Sequence, residues 1–183
     1  MKQSIWRRIG IRTSLMTAAI GLFLCCGVTP SHAAYEYYAQ ITGEKQGIMT
    51  ANNGVRAAWR DYLPASSYTS DIGVPVGTAT PSYSSIQIVA QVTQSLPLFL
   101  TAMINKEYIS ATMKFVRTDA NGSEYVFNTI DLTKARIIDV KQWHQSTTSG
   151  TSVSVNEMMT LTIDYGTIAV THTPSGRTFL GGK

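Results

Sequence analysis

Period-two alternation of apolar and polar side chains runs through most of this chain, which confines it to antiparallel β-sheet with one face buried. Tyr35, Tyr37, Ala39 and Ile41 fall on one face of a first strand. Val55, Ala57 and Trp59 share a face in a second, with Arg56, Ala58 and Arg60 opposite. Ile86, Ile88, Ala90 and Val92 alternate with Gln87, Val89, Gln91 and Thr93. Met113 and Phe115 oppose Lys114 and Val116, with Arg117 on the apolar face at a frayed end. Met159, Leu161, Ile163 and Tyr165 alternate with Met158, Thr160, Thr162 and Asp164. This last strand is expected to continue, bent at Gly166, through Ile168-Ala169-Val170.

One helix interrupts the strands. Leu98, Phe99, Ala102 and Met103 have helical spacing, Ser95 suits an N-cap, and Pro97 lies in the first turn. Asn121-Gly122 is the strongest hairpin signal, since both residues tolerate the positive φ of a type I′ turn. Asn121-Gly122-Ser123 also matches a glycosylation acceptor, but is read here as a turn. After this hairpin a second strand is expected, then a third ending at Lys141-Gln142-Trp143. Residues 64–85, rich in Pro, Gly, Ser and Thr, read as an extended loop, and residues 172–183 as a C-terminal tail.

The first 33 residues read as a cleavable secretory leader. Lys2, Arg7, Arg8 and Arg12 precede the apolar run Leu15–Val28, and Ser31-His32-Ala33 is a small-x-small cleavage pattern, so the cut is expected after Ala33. The run falls short of the ~20 residues that span a bilayer, so no stable membrane insertion is expected once the leader is removed. The general export route fits better than the twin-arginine route, because Gly10 sits where the latter prefers a large apolar residue. Cys25 and Cys26 follow Leu22-Phe23-Leu24, too bulky for a lipid-modification site.

Removing the leader changes the charge. The chain has 15 Lys+Arg and 11 Asp+Glu, and four of the basic residues but none of the acids lie in the leader. Residues 34–183 are therefore neutral overall, and net charge points to neither nucleic acid nor an anionic membrane. Both cysteines also leave with the leader, so neither a disulfide nor a thiol nucleophile remains. A single domain of about 150 residues can rely on its core alone, burying roughly 70% of its unfolded surface.

No catalytic constellation can be assembled. His144 and His172 have no further ligands at metal-site spacing. There is no Gly-x-Ser-x-Gly elbow, phosphate loop or dinucleotide fingerprint. Asp131 and Asp139 are not placed together by any pattern, and a nucleophile, base and electrophile cannot all be named. The expectation is a non-enzyme without cofactor or metal, acting through its surfaces. Candidate subunit-interface or lumen positions are Gln87, Val89, Gln91, Lys114, Tyr125, Phe127, Trp143 and His144. If Ile130 and Leu132 face the core, simple alternation turns Tyr125 and Phe127 outward, where aromatics mark a contact patch or lie under a second layer. Trp143 is either a partner's anchor or a cap on its own barrel.

The order and spacing of Ser95-Leu96-Pro97-Leu98-Phe99-Leu100, Lys114-Phe115-Val116-Arg117-Thr118-Asp119, Ile130-Asp131-Leu132-Thr133-Lys134-Ala135-Arg136-Ile137 and the Met159–Thr171 strand resemble the haemolysin-coregulated protein (Hcp) family, the tube subunits of type VI secretion. The resemblance covers about Ile86 to His172. Tyr35–Gly43 looks like the family's first strand, and Val55–Trp59 resembles its second. The implied fold is mainly β: a small barrel of two packed antiparallel sheets with one flanking α-helix. The resemblance also implies self-association into hexameric rings, stacked into a tube whose lumen carries small effector cargo, with residues 64–85 reaching a neighbouring subunit. Two features depart from the family: the leader, which tube subunits assembled in the cytoplasm lack, and the composition of Glu44–Asn53. Three readings stay open. The chain is an Hcp-like ring protein exported to the periplasm or beyond. Or it is an ordinary tube subunit with an inefficient leader or a start at Met16. Or it is an unrelated periplasmic or extracellular β-sandwich module that binds a carbohydrate or cell-wall ligand.

Overall fold

The computed structural model describes residues 35–119, 121–144 and 157–183. The expected leader, residues 1–33, lies outside the described residues. The elements are β1 (Tyr35–Gly43), β2 (Gly47–Ile48), β3 (Leu63–Thr69), β4 (Ile72–Gly73), β5 (Ser82–Tyr83), β6 (Ile86–Gln91), α1 (Leu96–Ile104), β7 (Ile109–Thr118), β8 (Glu124–His144), β9 (Glu157–Asp164), β10 (Thr167–His172) and β11 (Arg177–Gly182).

All strands but β4 and β5 join one antiparallel sheet, in the order β11-β10-β8-β7-β1-β3-β6-β9 with β2 on the end of β1. β8 also pairs with β9, so β8, β7, β1, β3, β6 and β9 close into a barrel. The expected second and third strands after the hairpin are a single one of 21 residues. Its first half pairs with β7 and β10, and its second half with β9. Between the halves Lys134 takes a left-handed φ of 49°. The neighbouring strand breaks at the same level, at Tyr165-Gly166, as the sequence suggests. The Gly166 N–H donates to the carbonyls of Thr133 and Lys134, each at 3.2 Å.

Alternation fills the barrel. Ile86, Ile88 and Ala90 of β6 face inward with Met159, Leu161 and Ile163 of β9 and Ala39 and Ile41 of β1, all at most 1% exposed. Removing such a side chain costs about 2–5 kcal/mol. α1 lies against β8 and inserts Phe99 and Ala102 into this core. Ser95 does not cap it through its side chain. Its hydroxyl donates to the Met49 carbonyl and receives the Asn53 amide, tying the helix start to the segment after β2.

Residues 55–59 are not a strand. Ala57–Trp59 forms a 3-10 turn, and the Gly54 N–H donates to the Arg60 carbonyl at 2.9 Å. A Cβ on Gly54 would collide with the Trp59 carbonyl, so glycine permits the curl. The second long strand of the sheet is instead β3, inside the segment read as loop. There, Leu63 is buried and Tyr68 half-buried, but Pro64, Ser66 and Ser67 are exposed, which weakens the periodic signal. Only residues 70–85 leave the barrel wall, folded in part as the β4–β5 ribbon. The tail is likewise ordered: β11 pairs along all of β10.

Glu107, which precedes β7, is the one buried acid among the described residues. Its Oε1 accepts the backbone N–H groups of Lys45 (2.7 Å) and Gln46 (3.1 Å), and its Oε2 the Gln46 side-chain amide (3.0 Å). Burial pushes its carboxyl pKa up, but these hydrogen bonds outweigh it and hold the group below the ordinary carboxylate range. A depressed folded-state pKa contributes stability that is present above the unfolded value and lost as the pH falls through the folded one. Glu107→Gln is expected to unfold at lower denaturant than the parent at neutral pH, the two midpoints converging in acid. A gap that is the same at both pH values would contradict this.

Candidate assembly surface

Three rows of paired residues cross the outside of the barrel over β6, β9 and the second half of β8. They are Gln87–Thr162–Asp139, Val89–Thr160–Lys141 and Gln91–Met158–Trp143. Paired residues share a face, so the inward Ile86, Ile88 and Ala90 place Gln87, Val89 and Gln91 outward. Trp143 therefore lies on the outer wall and does not cap the barrel interior. It is 40% exposed, and its Nε1–H donates to Thr160 Oγ1 at 3.2 Å. His144 is exposed at the end of the same strand, opposite Glu157. His144, one step from the outward Trp143, falls on the other face, so four of the eight candidate positions (Gln87, Val89, Gln91 and Trp143) share one wall of mostly uncharged side chains. Its charged members, Asp139 and Lys141, have opposite signs.

The remaining three are elsewhere. Lys114 lies on the outer face of the other half of the barrel, its ammonium 5.2 Å from the Tyr62 ring and 5.8 Å from that of Trp59. Trp59 in turn stacks on Tyr38 (4.6 Å, 7° between planes) and meets Tyr62 edge-on. The Tyr38 hydroxyl donates to Glu36 Oε2 at 2.6 Å, Glu36 accepts Arg56 at 2.9 Å, and Arg56 reaches Glu124. Burial first, then the bond to Glu36, push the Tyr38 phenol up to about 12. This cluster belongs to the protein's own fold: it binds the curl at residues 55–62 to β1 and β8.

Tyr125 is exposed beside the β7–β8 hairpin, but Phe127 is not an outward residue. Phe115 pairs with Asn128 and Val116 with Val126, so Phe127 is the extra residue of a bulge. A one-residue bulge reverses the alternation beyond it. Phe127 therefore packs edge-on to Phe115, centroids 6.1 Å apart, against the core. The hairpin forms at the expected place but not as a type I′ turn: Gly122 has φ 81° while Asn121 does not take a positive φ, the Gly122 N–H donates to the Asp119 carbonyl at 3.1 Å, and the Asp119 carboxylate accepts the Asn121 and Ser123 N–H groups at 2.8 Å. Sequence reasoning missed the Trp59 cluster, although five of its seven aromatic and charged residues (Glu36, Tyr38, Arg56, Trp59 and Tyr62) fall within a short stretch and β1.

Among the described residues no group of three or more His, Cys, Asp or Glu is placed to hold a metal, and no helix is long and apolar enough to cross a membrane. The family model described as "Type VI secretion system effector, Hcp" matches residues 60–172, more than half of the chain. The chain belongs to the Hcp family. No curated protein matches it. Solved structures share the fold at low identity. A crystal structure of an Hcp protein superposes with a TM-score of 0.76 at 17% identity, covering 81% of this chain and 98% of that one. The secreted protein Hcp3 from Pseudomonas aeruginosa gives 0.69 at 22%, over 81% and 98%. An Hcp1 double mutant from E. coli EAEC 042 gives 0.71 at 12%, over 82% and 100%. The mainly β, one-helix Hcp-like fold expected from the sequence is thus the one observed, and the reading as an unrelated β-sandwich gives way.

The two outer tryptophans should separate in their cost. Trp59→Ala is expected to lower unfolding stability in urea by about 2–3 kcal/mol. The exposed Trp143→Ala should cost about 1 kcal/mol or less. The reverse order would contradict the division between internal cluster and free wall.

Proposed function

We propose that this chain is a non-enzymatic, ring-forming structural protein of the Hcp type that works after export, in the periplasm or outside the cell. The family match over residues 60–172 carries the reading. The leader-like residues 1–33 favour export over assembly in a cytoplasmic sheath. The outer wall of Gln87, Val89, Gln91 and Trp143 supports self-association, since it combines exposed amides and an aromatic with little net charge. The β4–β5 ribbon, with Val74 61% exposed and Val76 fully exposed, is the segment best placed to reach a neighbouring subunit. In this reading the rings are hexamers and enclose a lumen for small effector cargo, and no cofactor takes part.

Two measurements test this. Intact-mass analysis of protein from the host's periplasm and medium is expected to find a chain starting at Ala34. An uncleaved, cytoplasmic form would return the chain to the ordinary tube-subunit role. Native mass spectrometry of the mature chain at micromolar concentration is expected to show rings. Val89→Arg or deletion of residues 74–80 should dissolve them and leave the circular-dichroism spectrum of the barrel unchanged. A monomer, or rings indifferent to both changes, would overturn the assembly reading.

A further inference from the structure

A second feature lies at the opposite surface of the wall, at the end of the barrel. Register places Tyr37, Phe115, Asn128, His172 and Arg177 in one row across β1, β7, β8, β10 and β11. The bulge adds Phe127 to this row, and Arg117 lies one step beyond Phe115 on the same face. Two hollows of about 500 and 470 Å³ meet there and share Arg117, Phe127 and Asn128 as a common wall. Each has the size of an ordinary small-ligand site, and the mouth of a β-barrel is a common place for one.

The chemistry of this trough is one-sided. Its apolar floor is Phe115, Phe127, Val170 and Phe179, with Tyr37 and Tyr68 alongside. Its charge is cationic: Arg117 and Arg177 line the same hollow, with His172 between, and no carboxylate lines either hollow among the described residues. The Arg117 guanidinium lies 3.9 Å from the centre of the Phe127 ring, which fixes its plane and aims its edge. His172 and Arg177 are directly opposite on paired strands, and the Ser175 hydroxyl lies 2.8 Å from His172 Nδ1 in the turn that joins them. Arg177 takes part in no ion pair among the described residues.

We infer that this trough binds a carboxylate carried on an aromatic or apolar body, the carboxylate between Arg117 and Arg177 and the body on Phe127 and Phe179. The planar fork of arginine suits a carboxylate in two-point contact, and the aromatic floor suits a ring beside it. A free aromatic acid and the C-terminal residue of a peptide both present this chemistry. The inference does not depend on the chain forming rings.

The test is isothermal titration of the mature chain with matched pairs: 1-naphthoate against 1-naphthamide, and N-acetyl-Gly-Phe with a free against an amidated C-terminus. In at least one pair the acid is expected to bind about tenfold or more tighter than its amide. The pair that discriminates identifies the source, small acid or chain end. Arg177→Gln, at an exposed edge-strand position, should weaken the acid by about tenfold and leave the amide unchanged. Arg117→Gln should do the same if it folds, and Lys141→Gln on the outer wall should change nothing. Equal binding of acid and amide in both pairs, no binding of any probe, or indifference to Arg177→Gln would overturn the inference.

Discussion

Everything in this structure rests on one strand serving two halves of a barrel. β8 pairs with β7 and β10 along its first half and with β9 along its second. It can do so because it bends at Lys134, against the break at Tyr165-Gly166 in the neighbouring strand. A left-handed conformation at a lysine costs about 1 kcal/mol or more. It is held by the Gly166 N–H shared between two carbonyls, and by Ala135, Tyr165 and Ile168, all buried around the bend. Without it the sheet would stay open, with two long unpaired edges prone to association.

Closure divides the surface into parts with different work. The interior is taken by aliphatic and aromatic packing. The outer face of β6, β9 and late β8 is a wall of amides, threonines and Trp143, with Gln87, Gln91 and Trp143 exposed. The outer face of the other half is occupied from within, by Trp59, Tyr62 and the Glu36–Arg56–Glu124 links. The barrel mouth collects arginines and aromatics because a bulge at Phe127 and the β10–β11 turn bring them into one row.

Most of the wall was legible in the sequence, and the reason is physical. β1, β6, β7 and β9 each bury one face, so their alternation reports burial directly, and α1 shows its core contacts at Phe99 and Ala102. The failures have particular causes. Residues 55–59 alternate by composition, but Gly54 lets the chain curl back on Arg60, which no period reveals. β3 buries few residues and β11 is an exposed edge strand, so neither shows a strong pattern. Phe127 was assigned outward because a bulge, which moves every later residue to the other face, leaves no mark on composition. Of the eight candidate positions, four converge because they sit at facing positions of paired strands, and His144 falls on the other face at the end of the same strand. Lys114 and Phe127 are engaged within the fold, and Tyr125 lies apart at the hairpin.

Amide hydrogen exchange along the seam between β8 and β9 tests the closed barrel most directly. If the bend at Lys134 holds one cooperative unit, the amides of Val140 and Leu161 exchange only with global unfolding, as slowly as those of Ile41 and Met113. Fast exchange confined to the seam, with β1 and β7 still protected, would mean that the sheet opens at this junction, and that the walls described here do not form one rigid body.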